Sequence, residues 1–298
     1  PVLRASEGPQ EVLPRRHLEL RLALALRRLD HQRARHRKRH RRRVEAVVHQ
    51  ALGHVLGGDD DLRIDIMNQM RYFLPHLLAL SSSSPFWQGT DTGLRSYRLA
   101  IYDESPRSGL PGVFKSWHEY KSTVDVLINA DVIQDASKIW WDIRPSAQFP
   151  TLEMRITDVC SYVEDAVCIS QIYRCLCRML YRLRLSNQRW RPYPLFLLEE
   201  NRWRAQRYGV TGTLFDFGKG ALVSYPQLLD EILELIREDA VHFGCESEVG
   251  HARTILRRGT SADRQLACAQ KARKAGATEA DAMRAVVDLI LAETAGRS

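Results

Sequence analysis

From Asp59 onward, apolar residues recur at periods that regular structure can use. Leu62, Ile66, Met70, Phe73 and Leu74 fall at helical spacing, and Asp59, Asp60 and Asp61 stand ahead of them as capping acids. Pro75 kinks or restarts this helix, and residues 76–80 carry it on. Residues 81–98 open on four consecutive serines and hold Pro85, Gly89 and Gly93, which is loop chemistry. A helix is expected over 113–130, after a polar stretch at 103–112. Residues 139–144 alternate as a strand, with Ile139, Trp141 and Ile143 on one face and Trp140, Asp142 and Arg144 on the other, and Pro145 stops it. A turn at 146–150 leads to a second strand over 151–158. Leu152, Met154 and Ile156 should point inward there, with Glu153, Arg155 and Thr157 opposite. A long amphipathic helix follows at 161–185, then a strand closed by glycines within 212–220. Helices close the chain at 224–238, 246–258 and 278–295, the last opened by a capping-box-like Thr278-x-x-Asp281.

Residues 1–58 follow no such pattern. They lack Phe, Trp, Tyr, Ile, Met, Cys, Asn and Thr, yet hold six of the ten histidines. Their net charge is +9, whereas the remaining 240 residues sum to −1, so the overall +8 is a local property. The arginine-rich run at 33–43 repels itself and cannot pack. Three readings compete: a basic arm for nucleic acid or an anionic surface, a solvated tail, or a G+C-rich gene read out of frame. The restricted set of residue types favours the last, and the expected organisation is an anomalous segment at 1–58 followed by a domain at 59–298.

A chain of 298 residues, 44% hydrophobic and 27% charged, reads as one large globular domain or two smaller ones. No stretch approaches the ~18 uninterrupted apolar residues of a membrane span, and the N-terminus lacks a signal-peptide pattern. Six cysteines without a compact framework suggest reduced thiols and a cytoplasmic setting. Cys168, Cys175 and Cys177 lack zinc-site spacing and read as core. Arg174, Arg178, Arg182 and Arg184 read as a solvated basic stripe.

The candidate chemistry lies on the second strand and in the 81–98 loop. Glu153 and Arg155 share one face about 6–7 Å apart along the strand. One reading is a cross-strand salt bridge. The other is a metal-bound carboxylate beside an arginine that grips a phosphoryl oxygen. A polar loop carrying Trp87, Arg95 and Arg98 is either a ligand site or an ordered connection.

The runs Ser-Pro-Phe-Trp-Gln-Gly-x-Asp-Thr-Gly-x-x-Ser-Tyr-Arg (84–98) and Trp-Trp-Asp-Ile-Arg-Pro-Ser-x-x-Phe-Pro-Thr-Leu-Glu-Met-Arg-Ile-Thr-Asp (140–158) resemble signatures of the type 2 glutamate–cysteine ligases, which are carboxylate–amine ligases. Glu-Asn-Arg-Trp-Arg-Ala-x-Arg-Tyr-Gly (200–209) and Gly-Thr-Ser-Ala-Asp-Arg-Gln (259–265) match as well. The resemblance implies an α+β fold with a curved, glutamine-synthetase-like antiparallel sheet backed by helices, incomplete at its N-terminal side. It also implies ATP- and Mg²⁺-dependent joining of L-glutamate and L-cysteine, or related amino acids, through an acyl-phosphate. By the same resemblance Glu153 is the Mg²⁺ ligand and Arg155 the contact to the transferred phosphoryl group. Arg98 and Trp87 hold an amino-acid substrate, and Asn201, Trp203 and Arg207 border the nucleotide. A homodimer is also expected, and no membrane partner.

The chain departs from the family's pattern where a strand of alternating glutamates and a His-x-His-x-Gly strand are expected. Gly53-His-Val-Leu-Gly-Gly58 stands at the second position, and no role is carried onto His54. That departure predicts an incomplete metal cluster and an inactive or poorly folded chain. Two alternatives stay open: a non-catalytic remnant whose basic arm binds nucleic acid, and a related ligase acting on other amino acids.

Overall fold

The structure, a computed structural model, describes residues 59–296. The expectations for residues 1–58, including the basic arm and the out-of-frame origin, lie outside the described residues.

Helix α1 (Asp60–Met70) is capped by Asp59, whose carboxylate accepts the Leu62 N–H at 2.9 Å. The chain turns at 71–73 and resumes as α2 (Leu74–Ser81), with Pro75 in its first turn, where a missing N–H costs no hydrogen bond. The serine-rich stretch that follows contains a short hairpin, β1 (Phe86–Trp87) and β2 (Thr90–Asp91), before α3 (Tyr97–Asp103). Helix α4 (Trp117–Asn129) starts four residues later than the hydrophobic pattern suggests, because Ser116 caps it by accepting the Glu119 N–H.

The first strand is shorter than its alternation predicts. β3 (Ile143–Pro145) pairs antiparallel with β4 (Leu152–Met154), in the register Ile143 to Met154, Arg144 to Glu153 and Pro145 to Leu152. Residues 139–142 bond elsewhere: Trp140 N–H donates to Arg107 O and Asp142 N–H to Gly109 O, both at 2.8 Å. The expected separation of faces also fails, since Asp142 and Arg144 are buried along with Ile139 and Ile143. The cause is a set of partners that sequence periodicity does not see: Arg202 reaches Asp142, and Arg144 reaches backbone carbonyls and Glu153.

Helix α5 (Val163–Leu185) is the spine, about 34 Å long at 1.5 Å per residue. Ile169, Ile172, Tyr173, Leu176 and Leu180 bury its core stripe at helical spacing, and Cys168, Cys175 and Cys177 are buried free thiols, as expected. The arginine stripe is not simply solvated. Arg178 and Arg182 both reach Asp239, which is fully buried, and Arg174 lies 3.7 Å from the centre of the Phe243 ring.

Helix α6 (Leu195–Tyr208) packs on α2 and on the hairpin β5 (Thr213–Asp216) and β6 (Ala221–Ser224). Helices α7 (Tyr225–Leu235), α8 (Arg237–Phe243), α9 (Glu246–Gly250) and α10 (Ala252–Arg258) follow, the last three packing on α5. α11 (Ser261–Lys274) and α12 (Glu279–Thr294) pair as a helical hairpin. Helix α11 is absent from the sequence reading, yet it has the clearest start signal of all. Thr260 and Asp263 form a capping box directly after Gly259, whose φ of +86° demands glycine.

The α+β class holds. Among the described residues the antiparallel sheet takes the form of separate two-stranded ladders set among helices. No described helix is long and apolar enough to cross a membrane.

Candidate active site

The β3–β4 pair carries the cluster. Its register places Arg144 opposite Glu153, and the Glu153 carboxylate is shared. Oε2 accepts from Arg144 Nε at 3.1 Å and from Arg144 Nη2 at 2.9 Å, while Oε1 accepts from Arg155 Nη1. The cross-strand salt bridge is therefore present, made with Arg144. Burial pushes the Glu153 carboxyl up, but the two guanidinium groups outweigh it and hold the group below the usual carboxylate range. Arg144 is itself fixed, because its Nη1 donates to Ser137 O at 2.7 Å and also to Ile139 O. Arg155 is less fully engaged, since its Nε is buried without an acceptor.

Arg98 joins this cluster through the backbone. Its Nη2 donates to Arg155 O at 2.9 Å and its Nη1 to Ile156 O at 3.3 Å, and its guanidinium carbon lies 4.4 Å from the Tyr102 ring centre. The structure thus brings Arg98, Glu153 and Arg155 together.

The 82–96 loop is tied to the strand exit by one residue that sequence reasoning did not single out. Asp158, fully buried, accepts from Ser83 N–H, Ser84 Oγ and Ser96 Oγ, each at 2.8 Å. Burial drives its carboxyl above the usual value even though those hydrogen bonds and the Arg98 charge oppose it. The loop is held from two more sides. Gln206 O accepts both Arg95 N–H (2.8 Å) and Ser96 N–H (3.2 Å), and Gln265 Nε2 donates to Ser83 O at 2.9 Å. Trp87, at the hairpin, is about half exposed and packs on Tyr97 with ring centres 5.4 Å apart.

The three residues assigned to the nucleotide are not brought together. Asn201 is buried, and its amide is engaged at both ends by β5: Nδ2 donates to Phe215 O at 2.8 Å, and Oδ1 accepts Phe215 N–H at 2.7 Å. Trp203 lies half exposed, edge-on to Tyr208. Arg207 faces the loop, where a Cβ on Gly93 would come within 2.7 Å of its Nη1. Gly93 also has a φ of +72°, so both space and backbone call for glycine.

Arg202, in the same helix, was also missed. It joins Asp142 (Nε to Oδ2, 2.6 Å) and Asp103 (Nη1 to Oδ2, 2.8 Å), locking α6 and α3 to the entry of β3. The sequence signal for Arg144 was the turn at 146–150, since antiparallel pairing across it sets positions 144 and 153 opposite. Among the described residues no three His, Cys, Asp or Glu side chains gather as a metal-binding set. Both Glu153 oxygens are held by guanidinium groups, an arrangement that fits an anion-handling surface and not, by itself, a metal centre.

The fold has a solved counterpart. The chain is similar to the bifunctional glutathione synthetase of Pasteurella multocida, with a TM-score of 0.52 at 14% identity over 80% of this chain and 33% of that one. The sequence model of glutamate-cysteine ligase family 2 matches residues 53–282, and the chain belongs to that family. It is 58% identical over 241 residues to a protein of Rhodospirillum rubrum, covering 81% of this chain and 62% of the relative. With a Jannaschia protein it shares 56% identity over 238 residues, covering 80% and 63%. Both relatives carry the name "Putative glutamate--cysteine ligase 2". The chain spans about three fifths of the length of these curated relatives.

Proposed function

We propose that residues 59–298 form a carboxylate–amine ligase domain that joins L-glutamate to L-cysteine at the expense of ATP. A carboxylate is a poor acyl donor. Transfer of the γ-phosphoryl group of ATP to the glutamate side-chain carboxylate gives an acyl-phosphate and ADP. The cysteine amine then attacks the acyl carbon, the C–N bond forms and phosphate leaves. Phosphoryl transfer asks the protein for positioned cations more than for covalent chemistry.

The observation that carries this reading is Arg155. It is a largely buried guanidinium one residue past strand β4, held at one nitrogen by Glu153. With about 15% of its side chain exposed, Arg155 would offer its remaining N–H groups to an incoming phosphoryl oxygen. Glu153 and Arg144 keep the guanidinium in place. Arg98 and Trp87 are assigned to the amino-acid substrate, and Arg207, with Asn201 and Trp203 on the same helix, to the nucleotide side. Mg²⁺ is expected to arrive with ATP, where it would supply charge neutralisation on the phosphates; Glu153, the ligand that the resemblance implies, has both oxygens on guanidinium groups and does not fit that role as it stands. No step above is routed through the metal. A reducing, cytoplasmic setting suits the free thiols, and a homodimer is the expected assembly.

The test is incubation of the chain with ATP, Mg²⁺, glutamate and cysteine, with mass detection of γ-glutamylcysteine and ADP, beside a nucleotide-binding titration of the chain and its Arg155→Gln variant. Product formation supports the reaction and overturns the expectation of an incomplete site. Nucleotide binding that depends on Arg155, without product, supports the site in an incomplete form. The absence of both sinks the proposal. A screen of other amino acids separates glutamate–cysteine ligation from a sister specificity, which pocket shape decides.

A further inference from the structure

All six cysteines of the chain are free thiols, and five of them are buried. Two of the buried ones face each other. Cys175, in the spine helix α5, and Cys245, in the link between α8 and α9, make a thiol–thiol hydrogen bond with their sulfurs 3.7 Å apart. Cys168, by contrast, turns its thiol to Val249 O at 3.8 Å. Cys175 and Cys245 meet from 70 positions apart because α8 and α9 both pack on α5.

A disulfide needs its sulfurs about 2.0 Å apart. From a 3.7 Å contact, rotation about one Cα–Cβ bond can supply most of the approach. Cys245 can follow, since it lies outside a helix and directly after Gly244, whose φ of +60° marks a turn. The two thiols also differ in access. Cys175 is completely buried and Cys245 is 4% exposed, yet the neighbours of Cys245 in the chain, Gly244 and Glu246, are both exposed. Cys245 is therefore the outer thiol and Cys175 the inner one. Burial pushes both thiols up, against the nearby Arg174 charge, which keeps thiolate scarce and makes any oxidation slow.

We propose that Cys175 and Cys245 are a site of reversible disulfide formation, oxidised by small hydroperoxides, that ties the start of α9 to α5. The Cys245 sulfur attacks one peroxide oxygen. An S–O bond forms, the O–O bond breaks, and the departing oxygen takes the proton that the thiol gives up. The Cys175 sulfur then attacks the sulfenic acid. The S–S bond forms, the S–O bond breaks, and water leaves with the Cys175 proton. Two electrons pass from the sulfur pair to one peroxide, and a dithiol reductant returns them. The groups that act on the two thiols, Arg174, Asp239, Glu246 and Glu248, have no part in the ligase assignment, so the two readings stand or fall separately.

The test uses the full chain carrying Cys268→Ser, which removes the thiol that is not buried. The protein is treated with hydrogen peroxide, digested without reductant and mapped by mass. The peptides holding Cys175 and Cys245 should appear joined, less two hydrogens, and should separate with dithiothreitol. The oxidised chain should melt about 5 °C or more above the reduced one, because the bond restricts a long loop of the unfolded chain. Replacing the inner thiol, Cys175→Ser, should leave the sulfenic acid unresolved and raise dimedone labelling of Cys245 at least about tenfold. A bond between any other pair, no joined peptides at peroxide levels that oxidise Cys268 in the unsubstituted chain, unchanged labelling in Cys175→Ser, or an oxidised chain that melts no higher than the reduced one would each overturn the proposal.

Discussion

Glu293, near the end of α12, and Glu153, on β4, are both acids set among arginines, yet their surroundings differ. The Glu293 side chain is 4% exposed and takes one guanidinium through two nitrogens, Arg264 Nε at 2.6 Å and Nη2 at 2.9 Å, with the Ser161 hydroxyl donating as well. Arg264 spends its remaining Nη on Gly259 O. Every donor there is met inside the protein. The Glu153 side chain is 22% exposed and sits between two guanidinium groups, one of which keeps a buried Nε unmet. A closed pair holds helices together, whereas the more exposed Glu153–Arg155 pair lies within reach of a further anion. Exposure therefore separates the two where residue type alone does not.

The largest effect should fall on the closed pair. Glu293→Ala strands Arg264 in the interior and should cost about 3–5 kcal/mol in urea unfolding, while ligand binding by the folded fraction is unchanged. A loss under about 1 kcal/mol would erase the contrast. Arg155→Gln should show the reverse. Stability should shift by less than about 1 kcal/mol, and nucleotide binding or turnover should fall on the order of 100-fold. Comparable losses of stability in the two variants would show that β4 is scaffold too. Gly93→Ala should cost about 1–2 kcal/mol from its backbone conformation alone and displace Arg207 from the loop. A crystal structure of that variant with Arg207 unmoved would remove Gly93 from the site.

The smallest effect concerns acid. The Glu153 carboxyl is held below its usual value, so its stabilisation is complete above the usual carboxylate range and fades as pH falls through the folded value. The stability gap between the chain and Glu153→Gln should shrink from pH 7 to pH 3. Asp158 carries the opposite sign. Burial raises its carboxyl, so its ionisation costs stability as pH rises past the usual range, and protonation at low pH relieves that cost. Parallel slopes for Glu153→Gln and Asp158→Asn would contradict both assignments.

Helix period was legible for α1, α5 and α12, and capping for α1 and α12, because burial there follows a 3.6-residue stripe that depends on near neighbours alone. The break at Pro75 and the acid cap at Asp59 were equally local. What resisted reading depended on distant partners. Residues 139–142 look like a strand, but they pair with 107–109, and Asp142 is drawn to Arg202, sixty positions away. Helix α6 was hidden because its buried face is largely polar, with the Asn201 and Arg202 side chains satisfied from other elements. At the candidate site, Glu153 and Arg155 could be singled out from their spacing, since alternation along a strand is local. Arg144 was reachable only through the register that the turn at 146–150 sets, and Asp158 not at all, because its partners lie in a loop some seventy residues upstream.

The three donors that Asp158 collects come from the two ends of one excursion, residues 83–84 and residue 96. The excursion is therefore pinched shut at its neck, and its far end projects beyond that closure. Trp87 through Thr90, with Gln88 and Gly89 at positive φ, form that end. Replacements at that tip should therefore leave the strands beneath in place.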